Sequence, residues 1–270
     1  GDGELFCNQR YGDWPMSVSG GRDDPWREPE WMLLSVGKPA TASSFCEGHE
    51  PGKATEENVQ TWWQAASGSR DEWLCVDLGE VFAVHAVQVN FADDAIAIPC
   101  PGRILPGMHG RYIEEAKTLT QWKPEISLDG ETWTVLEDKS SAKTDLAHDL
   151  VVREEGISAR FLRLSQMCVP YGQNPCVSGL RVFGLGRGSA PKPPVYLAQR
   201  TGDTDMEVKI EKQEDTLGCN ILFDSSPEKL YHSYMVLGAD EKNIGALMKA
   251  EPVFVRVDAF NENGITEGEV

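Results

Sequence analysis

Two neighbouring pairs of residues offer the most reactive side chains in this sequence, Asp93-Asp94 and His148-Asp149. Glycosidic hydrolysis needs two carboxylates held across one bond, about 5 to 9.5 Å apart. Asp93-Asp94 opens a long loop after a strongly apolar run. Adjacent residues on a strand point to opposite faces, so these two acids act together only if the chain bends there. The plainer reading is a pair of solvated loop acids, and the sharper one is contact with a sugar or a neighbouring domain. His148-Asp149 supplies an imidazole with an orienting carboxylate, but triad chemistry also needs a nucleophile, and no GxSxG-type motif is present. His148 therefore reads as a loop or interdomain contact, with a ligand contact as the alternative. Sugar binding needs a flat apolar face against the C–H side of the ring and polar groups for the hydroxyls. Trp62, Trp63, Tyr112 and Tyr171 are the candidate platforms, with Trp63 preferred over Trp62, and His109 lies near Tyr112 in the long loop. Trp62 and Trp63 are adjacent and should face opposite ways. Trp73 and Trp133 read as packing residues, and Trp122 is left open. No residue is assigned a catalytic role.

Composition narrows the partners. The chain has 270 residues, enough for two domains, with 43 acidic and 25 basic residues and a formal charge of -18. Such a surface repels phosphate backbones and anionic membranes, so nucleic acid is excluded as a partner and neutral glycans are not. No run approaches the roughly 20 apolar residues of a membrane helix. The polar start, Gly1-Asp2-Gly3-Glu4, shows no signal peptide. The seven cysteines include no CxxC and no Cys/His spacing of a zinc site. Cys168 and Cys176 flank a short loop and either close it as a disulfide or are two buried thiols.

The elements that must position these residues are short strands. Segment 1–34 is rich in Trp, Pro and Gly, with only Glu4-Leu5-Phe6-Cys7 strand-like. It is too aromatic for a disordered tail and is expected to pack on something. Segment 35–187 alternates apolar and polar residues. Leu74, Val76 and Leu78 share one face, and Val87, Val89 and Phe91 share another. Asp129-Gly130 marks a hairpin. A long interruption over 93–121, rich in Pro and Gly, is expected to be functional or covered by a neighbour. Segment 188–193 reads as a linker whose Gly and Ser give slack before its prolines stiffen it. Segment 194–270 shows strands near 194–199, 205–212, 218–224, 231–237, 243–248, 252–260 and 264–267, a pattern expected of an immunoglobulin-like sandwich. The fold class is all-β: one sandwich followed by a smaller one.

Six stretches in order carry a family resemblance: Lys38-Pro39-Ala40-Thr41-Ala42-Ser43-Ser44, Ala54 to Trp63, Trp73-Leu74-Cys75-Val76-Asp77-Leu78-Gly79, Ser127 to Trp133, Ala159 to Leu164, and Ser178 to Gly184. Residues 35–187 thereby resemble the discoidin, or coagulation-factor type C, domain, a galactose-binding-like jelly-roll β-sandwich also used as a carbohydrate-binding module; the resemblance makes Trp62 the family's structural Trp, expected to pack inside, and Trp63 the one expected to face outward. Phe254 to Gly264, with Gly218 to Phe223 and Ser226 to Tyr231, makes 194–270 similar to a fibronectin type III domain. Phe6 to Met16 and Pro29 to Ser35 look like the exit from the five-bladed propeller of a glycoside hydrolase of family 43. The 1–34 segment is too short to supply five blades.

The resemblance implies a non-catalytic carbohydrate-binding or accessory region of a polysaccharide-degrading, family 43-like glycosidase acting on arabinan- or xylan-type substrates. Its partners would be a neutral poly- or oligosaccharide and a catalytic propeller in the parent chain, and its location secreted, periplasmic or bacterial cell-surface. The alternative is a purely structural module that braces the propeller. Members of this family often carry a structural calcium near an Ala-x-Asp turn. Here Glu56 or Glu57 takes the Asp position and Gly179 stands where a Glu ligand often sits, so no cofactor is assigned.

Overall fold

Apolar–polar alternation is realised most fully in two long strands, Leu74–Phe91 and His148–Cys168. The structure is a computed structural model that describes residues 4–6, 17–19, 31–94, 103–104, 111–112 and 118–270 apart from 212 and 239. The chain divides into two units, Gly1–Glu30 and Trp31–Val270. In the first, Glu4–Phe6 pairs antiparallel with Ser17–Ser19. The second holds two sandwiches.

In the first sandwich the two long strands run antiparallel to each other and change partners part-way along. Residues 74–77 pair with 161–164 on one side and with Ala40–Ala42 on the other. Residues 82–90 pair with 148–159, and their outer neighbour is Cys176–Leu185. Gln121–Ser127 extends the first layer, and Met32–Leu33 and Trp63–Gln64 extend the second. Each long strand thus serves both layers of one sandwich, so it must bend between them. The bend falls at Gly79, whose φ of 90° is a left-handed conformation that glycine adopts without strain. Asp77 pins it. Its carboxylate accepts the Gly79 N–H at 2.8 Å and a two-point contact from Arg160 Nε and Nη2, both 2.8 Å.

Between the layers lies the core. Leu74, Val76 and Leu78 are fully buried, as are Val87, Val89, Leu162, Leu164 and Val182. The inward face of each strand is therefore the apolar face read from its alternation. The Asp129-Gly130 turn is closed by Asp129 Oδ1, which accepts from Glu131 N and Thr132 N, both at 2.8 Å. Trp31 stacks on His85 with centroids 5.0 Å apart, and Leu34 N donates to Val182 O at 2.8 Å. Residues 31–34 are thus part of this sandwich.

The C-terminal strands form a second sandwich of two antiparallel sheets. One orders Tyr196–Arg200, Met206–Ile210 and Glu241–Ile244. The other orders His232–Leu237, Gly218–Asp224, Phe254–Asn261 and Gly264–Thr266. Met206, Val208 and Ile244 from the first meet Ile221, Phe223 and Val257 from the second. The strands lie within a few residues of the positions read from the sequence.

The junction between the sandwiches is apolar at its centre. Phe260 is buried among the core residues of the first sandwich, with Leu217, Leu237 and Ile265 packed against that core. Lys38 Nζ reaches Glu262 Oε1 at 2.8 Å. The 186–194 stretch, read as slack, is bonded along its length. Gly186 N and Gly188 N donate to Glu262 O and Asn263 Oδ1, and the carbonyls of Ser189, Pro191 and Pro193 accept from Asn261, Thr266 and Gln213. Glycine is used there for close approach: a Cβ on Gly186 would lie 2.0 Å from Asn263 Oδ1. Truncating Phe260 removes the junction's largest anchor. We expect Phe260→Ala to cost about 3 kcal/mol and, by scanning calorimetry, to split a single coupled transition into two.

Candidate functional site

The strand ends and loops at one end of the first sandwich are laced together. Cys46 N donates to Gln64 O at 2.9 Å and Gln64 N to His49 O at 3.3 Å. Ala65 N donates to Pro175 O and Asn174 Nδ2 to Ala65 O, both at 2.9 Å. Ala92 N reaches Cys176 O at 3.0 Å, and Phe91 N reaches Ala147 O at 2.7 Å. A Cβ on Gly68 would lie 2.7 Å from Gly172 O, so the loops at 66–70 and 170–173 touch backbone to backbone. Arg70 ties in the far side through Gln121 Oε1 and Ser140 O.

Several candidates converge on this end, with one reversal. Trp63 is fully buried and its Nε1 donates to Ser44 O at 3.0 Å, so it is a core residue and not a platform. It pairs with Val177 inside the sheet, which turns its ring into the sandwich. Trp62, expected inside, is the less buried of the two, though its Nε1 is buried. It stacks on His49 at 4.9 Å and 27°. Tyr171 is half-buried in a short 3-10 turn, Pro170–Gly172, with a left-handed φ of 60°. Asp93 is exposed and Asp94 half-buried. Asp94 lies beside Cys176, whose thiol is pushed up to about 11, chiefly by burial. His148 is exposed and lies opposite Asn90 in the sheet register. Tyr112 falls in the Arg111–Tyr112 strand, paired with Arg103–Ile104. His109 and the side chain of Tyr112 lie outside the described residues. Sequence reasoning does not single out Phe45, which is 50% exposed, or His49, both on the loop that follows Ala40–Ala42. An aromatic in a polar loop is the signal that could have found them.

Cys168 and Cys176 are free thiols, not a disulfide. They do not close the loop between them, because Cys176 is already in the sheet opposite Gln64 with its Sγ near Asn174 O at 3.5 Å.

Glu72 and Glu125 are held as anions. Glu72 is buried, which raises its pKa, but hydrogen bonds from Ser43, Ser67 and Ser44 outweigh burial and hold it below the ordinary value of 4.5. Ser44 Oγ and Ser67 Oγ each lie 2.7 Å away. For Glu125, burial is likewise outweighed, by Ser165 and Arg163. Asp149 accepts from Trp122 Nε1 at 3.0 Å and Lys139 Nζ at 2.7 Å, so it is turned toward the buried Trp122. Every described carboxylate with a resolved shift is shifted downward. A glycosidase acid needs the opposite shift.

The turn at Glu57 does not fit calcium. Arg181 Nε and Nη2 sit 3.1 and 3.0 Å from the Glu57 carboxylate, so a guanidinium supplies the positive charge there. Gly179 faces Asn90 Nδ2, which a Cβ would meet at 2.8 Å. Among the described residues no group of three or more His, Cys, Asp or Glu could hold a metal ion. A cleft in the C-terminal sandwich holds Arg200 and Lys249. Arg200 donates to the carbonyls of Asp203, Met248 and Glu251, and Lys249 pairs with Asp203, so their charge is spent on the loops themselves.

Residues 53–164 match the family model described as the NedA-like, galactose-binding domain, of the F5/F8 type C kind. This part of the chain is similar to F5/F8 type C, galactose-binding-like domains. Among solved structures, chitosan-binding module 1 of a chitosanase/glucanase from Paenibacillus sp. IK-5 is 20% identical, covering 57% of this chain and 99% of that one, with a TM-score of 0.44. The family 32 carbohydrate-binding module of C. perfringens NanJ, solved with galactose, is 15% identical over 57% and 98%, with a TM-score of 0.42. A family 89 glycoside hydrolase from Clostridium perfringens is 16% identical over 64% of this chain and 16% of that one, with a TM-score of 0.43. No curated protein matches the chain.

Two outcomes follow from the electrostatics. Calcium and chelator should leave the melting temperature unchanged, whereas Arg181→Gln, which strands Glu57, should cost about 1–3 kcal/mol. Glu72, Glu125 and Glu262 have folded pKa values below the ordinary 4.5. Their contribution is complete above that value and is lost as pH falls through the depressed ones. Unfolding midpoints should therefore be flat just above pH 4.5 and fall below it, with a shallower fall in Glu72→Gln.

Proposed function

We propose that this chain is a non-catalytic carbohydrate-binding region whose sugar surface is the laced loop end of the first sandwich. The observation that carries the reading is the coincidence of two facts. The galactose-binding family model covers 53–164, and the loops at this end present Phe45, the Trp62–His49 stack and Tyr171. Ring faces take the C–H side of a sugar, and Gln64, Asp94 and Asn174 on the same loops serve the hydroxyls. Backbone bonds between the loops hold these groups in place before binding, which lowers the ordering cost. The downward-shifted, partnered carboxylates support a binding role over hydrolysis.

The finer placement rests on sequence resemblance. It comprises a family 43-like parent acting on arabinan or xylan, an extracellular setting, and a fibronectin type III-like C-terminal sandwich. The three-plus-four strand arrangement supports the last of these. Calorimetric titration of the chain with galactosides, chitooligosaccharides, arabinan and xylan oligomers tests the reading. Affinity in the micromolar-to-millimolar range is expected for one class. Trp62→Ala or Tyr171→Ala should weaken it at least tenfold, about 1.4 kcal/mol or more, measured at a temperature where each variant is still folded. No heat with any of them at millimolar sugar would overturn it.

A further inference from the structure

Glu72 at the loop end of the first sandwich is only 7% exposed, yet among the described residues its hydrogen-bond partners are three serines and no Lys or Arg. Ser43 Oγ and Ser44 Oγ donate to its Oε2, the second at 2.7 Å, and Ser67 Oγ donates to its Oε1 at 2.7 Å. Each serine oxygen also accepts a backbone N–H. Ser43 accepts from Trp73 at 2.9 Å, Ser44 from Ala66 at 3.0 Å and Ser67 from Ser69 at 3.2 Å. A carboxylate has acceptors only, so all three hydroxyl protons point at it and the serine lone pairs are left to the amides. One charge thereby orients three hydroxyls and, through them, two loops.

Those two loops carry or support the exposed rings. Ser44 is followed by Phe45 and then by Cys46, whose N–H donates to Gln64 O at 2.9 Å. Phe45 is thus fastened on both sides while its ring stays 50% exposed. Ser67 is followed by Gly68, which approaches the Gly172 carbonyl so closely that a Cβ there would lie 2.7 Å from it. Gly172 follows Tyr171, whose left-handed φ of 60° persists in a non-glycine residue only where the surroundings hold it. The run of contacts from Glu72 through Ser67 and Gly68 to Gly172 is such a hold. Glu125, the other carboxylate bonded by a serine, is different. It lies mid-strand, between Arg163 and Val135 in the sheet, and is bonded by Ser165 and Arg163.

We infer that Glu72 is the positioning residue of the sugar surface: it touches no sugar, but sets the loops that present Phe45 and Tyr171 to one. This role rests on the sugar-binding reading of the same loops. A carboxamide cannot fill it, because Glu72→Gln leaves one acceptor oxygen and places an NH2 donor where the other stood. Either Ser67 or the Ser43–Ser44 pair must then turn its protons elsewhere, and the loop on that side loses its anchor.

A double-mutant cycle in sugar affinity tests this, by calorimetric titration of the full chain with galactosides, chitooligosaccharides, arabinan and xylan oligomers at a temperature where each variant is folded. Glu72→Gln should weaken the sugar that binds wild type about tenfold, and Phe45→Ala should weaken it too. In the Phe45→Ala background the added loss from Glu72→Gln should shrink to about threefold or less, because the ring it positions is gone. Glu125→Gln should lower the melting temperature and leave the affinity unchanged. Should Glu72→Gln fail to fold, Ser44→Ala, which removes one link on the Phe45 side, should show the same coupling to Phe45→Ala. The role is overturned, with the sugar reading left standing, if Glu72→Gln binds as wild type does or loses the same factor with and without Phe45. It is overturned equally if Glu125→Gln weakens the sugar as much as Glu72→Gln. A wild type that gives no heat with any of the sugars overturns the sugar reading itself, and the role with it.

Discussion

Two strands that each serve both layers of a sandwich must bend, and they must bend at the same place. That constraint governs the first sandwich. The bend in Leu74–Phe91 is made by Gly79 in a left-handed conformation and fastened by Asp77. Arg160, on the antiparallel neighbour, reaches across to the same carboxylate, so the two strands turn together. The carboxylate stays charged because the Arg160 hydrogen bonds, joined by the Gly79 N–H, outweigh the effect of burial. The distinctive Trp73-to-Gly79 stretch therefore encodes a corner, not a site.

Once the corner is set, the remaining geometry follows from strand ends. Leu74–Phe91 ends beside the start of Cys176–Leu185, and Gln121–Ser127 begins beside the end of His148–Cys168. The loops that join them have nowhere else to go, and their backbone groups pair with each other in place of a sheet. That lacing places Phe45, Trp62 and Tyr171 on adjoining loops although they are far apart in sequence. It also consumes the polar groups nearby. Glu72 is bound by three serines and Asp149 by Lys139 and Trp122, which makes this end a rigid frame with an aromatic rim.

The second sandwich is not a loosely tethered appendage. Phe260 enters the neighbour's core, and the connecting stretch bonds to the Asn261–Gly264 turn. Gly and Ser in that stretch suggest slack, and its prolines stiffness, when read as composition. In place, glycine permits the close approach to Asn263, and the proline carbonyls act as acceptors. Composition describes what a segment is free to do, and the neighbouring turn decides what it does.

Much of the fold is legible in the residues themselves. Alternation of period two marks which face of a strand is apolar, so Leu74, Val76 and Leu78, or Val87 and Val89, are assigned inward by their spacing alone. Turn chemistry at Asp129-Gly130 is equally local. The candidate site is only partly legible. Adjacent tryptophans must face opposite ways, but which one faces in depends on the register of Trp63 against Val177, a contact between residues more than a hundred positions apart. The same holds for Cys176, whose partner is Gln64 in a sheet and not Cys168 in a loop. Local sequence determines periodicity, turns and charge, because these act over a few residues. Which aromatic reaches the surface and which carboxylate meets an arginine are settled by long-range pairing, and only the tertiary structure decides them.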